Sequence, residues 1–395
     1  MRILRRDPAR CSTLPAPRET ADHATAPTSR FHAARVLLTA ARLAAALSAA
    51  LAFSSPAWAA PADAVVLVTL DGFRREDFFG GFSRELDSKP AGGVMEPGDV
   101  ARRFARPTVE GRREALLPFL WTVVAREGQI LGDPDQHSAV TYANGLFFSY
   151  PGYSEMLTGK VDPRIDSNDE RPNPNLTVLA WLGARPGFQG RVAMVAPNRW
   201  FTFIVGGADV PVAIEAGPPW LDPATDAGRV ANDLIADLPD FGHLSIDAPA
   251  MSAALESVAT RHPRVLWVAL NETDAWGHQR RYDLYLDAAH RADRFLRRLW
   301  EALQASPEYR GHTTLIVTTD HGRGEGERWT GHGRGYPTAG FGWIAVLGPR
   351  TPALGVRQDV SVTVGQVAAT VAGAVGEDFT ASGPGVAGPL PGAVR

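Results

Sequence analysis

Cysteine and lysine are almost missing from this chain. Its 395 residues include a single cysteine, Cys11, close to the N-terminus. From residue 60 onward there is none, which excludes a disulfide framework, a thiol nucleophile and a thiolate metal site there. Any fold must rest on its apolar core, and about 335 residues is enough for that. Lysine occurs only at Lys89 and Lys160, so arginine carries nearly all the positive charge. Internal repeats and low-complexity linkers are absent after residue 60. Long hydrophobic runs are absent too: the apolar stretch after Arg42 ends at Phe53, short of the roughly 20 residues that cross a bilayer.

The first 59 residues read as a leader. Residues 1–30 are rich in Arg, Pro and Thr, and an Ala/Leu-rich run follows from Val36 to Phe53, closed by Ser-Ser-Pro-Ala-Trp-Ala-Ala at 54–60. A basic flank, a short apolar core and a small-x-small end describe a secretory signal peptide, cleaved after Ala59 or Ala60. An N-terminal anchor is the alternative, and the leader's length leaves open a start codon downstream of Met1. The expectation is a periplasmic or secreted protein with no stable membrane span after processing. Eight arginines against Asp7, Glu19 and Asp22 give the leader +5, so the −3 of the whole chain leaves about −8 for the rest. An acidic chain without basic runs is a poor match for nucleic acid as its main partner.

Ala64–Leu70 (AVVLVTL) is short, β-branched and almost wholly apolar, as suits a strand buried on both faces of a parallel sheet. Arg264–Leu270 and Thr313–Thr319 repeat the pattern, and Arg191–Ala196 and Phe341–Leu347 repeat it more weakly. Helical periodicity appears at Leu117–Arg126, Leu176–Leu182, Ala248–Arg261, Arg281–Leu303 and Val364–Val375. Strands alternating with helices predict an α/β fold with a mainly parallel central sheet flanked by helices. The expected organisation is one domain over 60–395, with Gly/Pro-rich irregular insertions at about 80–113 and 199–247.

The three strongest strands each run into polar residues: Asp71-Gly72, Asn271-Glu272-Thr273-Asp274, and Asp320-His321-Gly322-Arg323. In open α/β sheets ligands gather outside the carboxyl ends of strands, so three distant segments can supply one rim. With Ser149 before a helix start marked by Pro151, His278 after Asp274, and His332 further on, the set holds three carboxylates, three imidazoles and a hydroxyl. Hard oxygen with imidazole nitrogen suits Zn²⁺ or Mn²⁺ better than Ca²⁺ or a soft metal. Ser149 at a helix N-terminus faces backbone N–H groups that favour an anion; a plain capping serine is the other reading.

Asp-Gly, then a serine before a helix, then Asp-x-x-Gly-His, then Asp-His-Gly, then a later His resembles the alkaline phosphatase superfamily. The branch containing nucleotide pyrophosphatases/phosphodiesterases and cofactor-independent phosphoglycerate mutases is the most similar. The likeness runs from Val65 to about His332. It implies an alkaline phosphatase-like fold, two divalent ions (Zn²⁺, or Mn²⁺), and a small-molecule phosphate ester as partner. Asp71, Ser149, Asp320 and His321 would hold one ion and Asp274, His278 and His332 the other. Ser149 would be the nucleophile, hydrolysing phosphate mono- or diesters through a phosphoserine. A mutase-like phosphotransferase and a non-catalytic, metal-stabilised binding protein are the alternatives. A formylglycine sulfatase is disfavoured, because no C/S-x-P-x-R stands after the leader; Ser149-Tyr150-Pro151-Gly152-Tyr153 lacks the Arg.

One departure stands out. The phosphodiesterases have Asn three residues after the nucleophile, and this chain has Gly152. Asn144 is a substitute candidate, though the Asn144-Gly145 pair also reads as a turn. Arg74 and Arg75 are placed either against a phosphate or on the surface. Glu272 is a candidate support for Asp274, while Arg280, Arg281 and Tyr282 are expected on a helix surface. Trp276 and Trp329 are expected in the core rather than in a pocket wall, and His243, His262 and His290 as ordinary structural or exposed residues.

Overall fold

The computed structural model describes residues 63–217, 226–237 and 246–394. The leader, with its expected signal peptide, lies outside them. No helix among the described residues is long and apolar enough to cross a membrane.

Eleven strands appear among the described residues: β1 Ala64–Leu70, β2 Gln129–Leu131, β3 Ala139–Thr141, β4 Val192–Ala196, β5 Ala213–Ala216, β6 Val265–Leu270, β7 Thr313–Thr318, β8 Phe341–Gly342, β9 Ile344–Leu347, β10 Gly355–Val356 and β11 Ser361–Thr363. Eight form the central sheet in the order β10-β2-β9-β7-β1-β6-β4-β5, and β11-β3-β8 form a small second sheet. The run from β7 to β5 is wholly parallel, and β9 is antiparallel to both β7 and β2. The mainly parallel α/β architecture is as the sequence predicts.

The apolar runs are continuous because both sheet faces are covered. Alternate residues point to opposite sides: Val66, Val68 and Leu70 join one core layer with Leu266, Val268, Leu315 and Val317. Val65 and Leu67 join the other with Val265, Trp267 and Ile316. The long Tyr282–Ala305 helix covers the first face with Leu286, Phe295, Leu296 and Leu299. On the second face the helices Ser149–Thr158, Val178–Gly183 and Gln366–Ala374 supply Met156, Leu157, Leu179, Val367 and Val371.

Register sets the site. Leu70 pairs with Leu270, and Thr69 with Thr318, so the polar residues that follow β1, β6 and β7 emerge side by side at one end of the sheet.

The two stretches expected to be irregular carry ordered elements. Residues 80–113 hold the short helices Lys89–Gly92 and Asp99–Phe104 and the start of Val109–Leu116. Their Gly, Pro and Ser residues cap helices rather than break them: Ser88 accepts from the Ala91 N–H, Pro90 follows in the first turn, and Gly98 takes the left-handed region at φ 95°. The other stretch contributes the helix Phe201–Ile204 and the edge strand β5, four half-buried residues that leave little hydrophobic pattern.

Candidate metal centre

Asp71 stands immediately beyond β1. Its Oδ1 lies 3.4 Å from His321 Nε2, and Asp320 Oδ2 lies 3.5 Å from the same nitrogen. The Ser149 hydroxyl is 3.4 Å from Asp71 Oδ1 and 3.3 Å from His321 Nε2. Asp274, His278 and His332 form a second group, with His278 Nε2 3.2 Å from Asp274 Oδ2 and 2.9 Å from His332 Nε2. The groups adjoin: Asp274 Oδ1 is 3.9 Å from His321 Nε2, and the rings of His321 and His332 stack at 4.2 Å. All seven residues singled out in the sequence therefore meet at one place.

Local chemistry explains each position. Asp274 and His278 occupy i and i+4 of the helix Glu272–His278, on one face. That helix has no cap of its own; the buried Asp247 carboxylate accepts from the Asn271 and Glu272 N–H groups instead. Glu272 receives the two guanidinium nitrogens of Arg291 and the Asp247 N–H, so it steadies the helix without facing the two groups. Asp320 Oδ1 accepts from the Gly72 N–H, and His321 Nδ1 lies 2.9 Å from the Gly322 carbonyl. A proton on Nδ1 leaves Nε2 free to face the carboxylates.

Ser149 opens the helix Ser149–Thr158. Its approach is pinned by Glu155 of the same helix, which accepts from the Ala143 and Asn144 N–H groups and the Asn144 side chain. Asn144 Oδ1 caps the Leu146 and Phe147 amides, so Asn144 serves the turn. Phe147 is held at φ 57°, and its carbonyl accepts from Gly333 N–H, tying the serine loop to the loop of His332. Ser154 and Thr158 are engaged elsewhere, with Asn173 and along their own helix.

Gly152 has a steric cause. A Cβ there would sit 2.1 Å from the Asp320 carbonyl oxygen. The helix carrying Ser149 lies directly on the backbone that carries Asp320, and no side chain fits between them.

Three carboxylates this close cannot all ionise freely. Burial, then repulsion from Asp274, pushes the Asp71 carboxyl up, and burial with repulsion from Asp71 does the same to Asp320. Asp274 goes the other way: burial opposes its charge, but Arg323 and then the His278 contact outweigh it and hold it well below the usual carboxylate range. Burial lowers His321 to about 4, and burial with the neighbouring His321 lowers His332 to about 2. Both imidazoles are neutral at pH 7, the form that ligates metal. Asp320 Oδ2 is buried without a hydrogen-bond partner. Crowded buried carboxyls, neutral ring nitrogens and an unsatisfied carboxylate oxygen fit a pair of divalent cations.

Several residues fall elsewhere than expected. Arg74 is buried and spent on Asp77 and the Gly324 carbonyl, neither at the surface nor toward a phosphate. Arg75 lies over the Phe341 ring and pairs with Glu76. Tyr282, expected on a helix surface, is buried because its hydroxyl donates to Asp77. Arg280 is exposed and Arg281 pairs with Asp283. Trp329 is fully buried and donates to Ala91, and Trp276 packs on the core edge. His290 lies 2.7 Å from the Leu116 carbonyl and His262 pairs with Glu308; His243 lies outside the described residues.

Three further residues at the site are given no role by the sequence. Tyr153 donates to Asp71 Oδ2, and the Asn271 amide lies 3.4 Å from the same oxygen. Arg323 is buried against Asp274. The position of Arg323, directly after Asp-His-Gly, was the one available hint.

The family model described as Type I phosphodiesterase / nucleotide pyrophosphatase matches residues 157–346, just under half of the chain. That span holds Asp274, His278, Asp320, His321 and His332 but not Asp71 or Ser149. Wild-type alkaline phosphatase PafA superposes with a TM-score of 0.52 at 11% identity, over 85% of this chain and 99% of its own. The chain has an alkaline phosphatase-like fold, and its segment 157–346 resembles the Type I phosphodiesterase / nucleotide pyrophosphatase family.

Two further solved structures have lower TM-scores. Murine ectonucleotide pyrophosphatase/phosphodiesterase 5, in an inactive variant bound to AMP, has a TM-score of 0.47 at 12% identity, over 80% of this chain and 96% of its own. The phosphonate monoester hydrolase of Agrobacterium radiobacter has a TM-score of 0.47 at 12% identity, over 84% of this chain and 79% of its own. No curated protein sequence matches. The family match supports a hydrolase of the phosphoesterase kind.

Proposed function

We propose that this chain is an exported phosphoesterase that hydrolyses small phosphate mono- or diesters through a phosphoserine on Ser149. The observation that carries the reading is the Ser149 hydroxyl lying within 3.4 Å of both Asp71 and His321, with the Asp274–His278–His332 group adjoining them. Asp71, Asp320, His321 and Ser149 would hold one divalent ion, zinc by the nature of the donors, and Asp274, His278 and His332 the other. Bound there, two cations lower the pKa of a hydroxyl or water and neutralise charge on a phosphoryl group.

The chain's own part is positional. Ser149 is fixed at the first turn of its helix, so Oγ attacks phosphorus as its proton passes to solvent, and the ester P–O bond breaks with the leaving oxygen taking up a proton from solvent. Water then breaks the Oγ–P bond, releasing phosphate or a phosphomonoester and restoring the serine. The N-terminal end of the Ser149 helix favours the phosphoryl charge throughout. A formylglycine sulfatase is a poorer reading, because the position of the required arginine is Tyr153, whose hydroxyl is used on Asp71. The leader supports export to the periplasm or beyond.

The test is turnover of p-nitrophenyl phosphate and its bis-ester by metal-loaded protein against Ser149→Ala. The variant should keep its fold and bound metal and lose activity roughly a thousandfold or more. Equal activity in the two proteins, or none in either with both ions bound, sinks the reading. The ratio of the two ester activities assigns the preferred ester class.

A further inference from the structure

Arg323 has no exposed surface, and none of its contacts reaches outward. Nη1 donates to Asp274 Oδ1. Nη2 donates to the Thr330 carbonyl at 2.9 Å and the Asp274 carbonyl at 3.4 Å, and Nε to the Trp329 carbonyl at 3.2 Å. The guanidinium is spent on one carboxylate and three carbonyls, so it is not a substrate-binding arginine.

One glycine makes room for it, and a second makes room for its partner Asp274. A Cβ at Gly277 would lie 2.5 Å from Arg323 Cζ. A Cβ at Gly72 would lie 2.7 Å from Asp274 Oδ1 and 3.2 Å from Arg323 Nη1, and Gly72 also holds φ +58°. The glycine between Asp274 and His278 is thus required by the Arg323 side chain, while the glycine after Asp71 is required by its own backbone and by Asp274, the partner of Arg323.

The charge count of the two groups then differs. Asp71, Asp320 and His321 offer two carboxylates, and among the described residues no arginine forms an ion pair with either, although the Arg323 charge is felt at Asp71. Asp274, His278 and His332 offer one carboxylate already opposed by a fixed cation. Cation affinity at such sites follows the number of charged ligands, and a buried like charge beside a cation weakens its binding.

We propose that Arg323 is a positioning residue and built-in counter-charge. It holds Asp274 by Oδ1, leaves Oδ2 on the His278 side, and makes Asp274–His278–His332 the weaker and more exchangeable of the two cation sites. The inference rests on the two-metal reading above.

The experiment loads the full chain with Zn²⁺, removes metal with graded chelator, and measures zinc per chain. The wild-type protein should release its ions in two steps, separated about tenfold in chelator concentration. Arg323→Gln, which removes the charge, should draw the steps together by tightening the weaker one, and Arg323→Lys should keep them apart. Two wild-type ions leaving together overturn this inference alone, whereas a chain binding no zinc overturns the two-metal reading as well. An unchanged gap in Arg323→Gln also overturns it. Should that variant fail to fold, the wild-type release curve still decides.

Discussion

Gly152 shows how one missing side chain fixes a site. Its helix rests on the Asp320 carbonyl at a distance that excludes even a methyl group. Placing Asn there, as in the phosphodiesterase pattern, should lower stability by about 3 kcal/mol, since overpacking costs typically 1–3 kcal/mol and backbone yields poorly. Gly373, with nothing within 4 Å of an added Cβ and a place in the helix Gln366–Ala374, is the control. Gly373→Ala should raise stability by about 0.5–1 kcal/mol. Denaturant midpoints of the two variants check both signs; a neutral Gly152→Asn would mean that the helix shifts freely away from Asp320.

At the scale of elements, the helix Glu272–His278 is only seven residues long and carries no cap of its own. Asp247, at the start of the helix Asp247–Thr260, supplies that cap by accepting from two N–H groups. Removing it should let the short helix fray at the end nearer Asp274. Asp247→Ala is expected to weaken zinc binding at the Asp274 group about 10–100-fold, the usual effect of losing a support behind a ligand, while sparing the Asp71 group. Competition with a chelating dye reads this, and an equal loss at both groups would point to general unfolding instead. Such a cap was hidden in the sequence, because the two residues it joins stand 24 positions apart with a whole helix between them. The helices of 80–113 were hidden for a related reason. Their Gly, Pro and Ser residues read as breakers until caps and tertiary neighbours are known.

For the molecule as a whole, burial also raises carboxyls outside the candidate metal centre, Asp293 among them. Asp293, on the long Tyr282–Ala305 helix, accepts from the Phe119 and Leu120 N–H groups, yet burial pushes it up to about 7. The folded value lies above the ordinary one of 3.8, so folding favours the protonated form. That contribution is fully present below about pH 4 and is lost as pH rises toward 7, each tenfold difference in proton affinity being worth about 1.4 kcal/mol. Asp293→Asn is neutral throughout, so its melting temperature relative to wild type should rise steadily across that window. A constant difference between pH 4 and 7 contradicts the argument; the other buried carboxylates are common to both proteins and cancel.

The sequence by itself determined the sheet, because runs such as AVVLVTL and RVLWVAL are apolar on both faces and can only be strands buried between helix layers. It also singled out seven Asp, His and Ser side chains at strand and helix ends that the structure brings to one place. The tertiary structure alone decided that the parallel pairing of β7, β1 and β6 brings those ends together. It alone decided that Gly277 admits Arg323, that Gly72 admits Asp274, and that Gly152 lets the Ser149 helix settle on Asp320. Local patterns encode burial and turn chemistry, whereas a contact between segments some fifty to two hundred residues apart depends on packing that no single stretch contains.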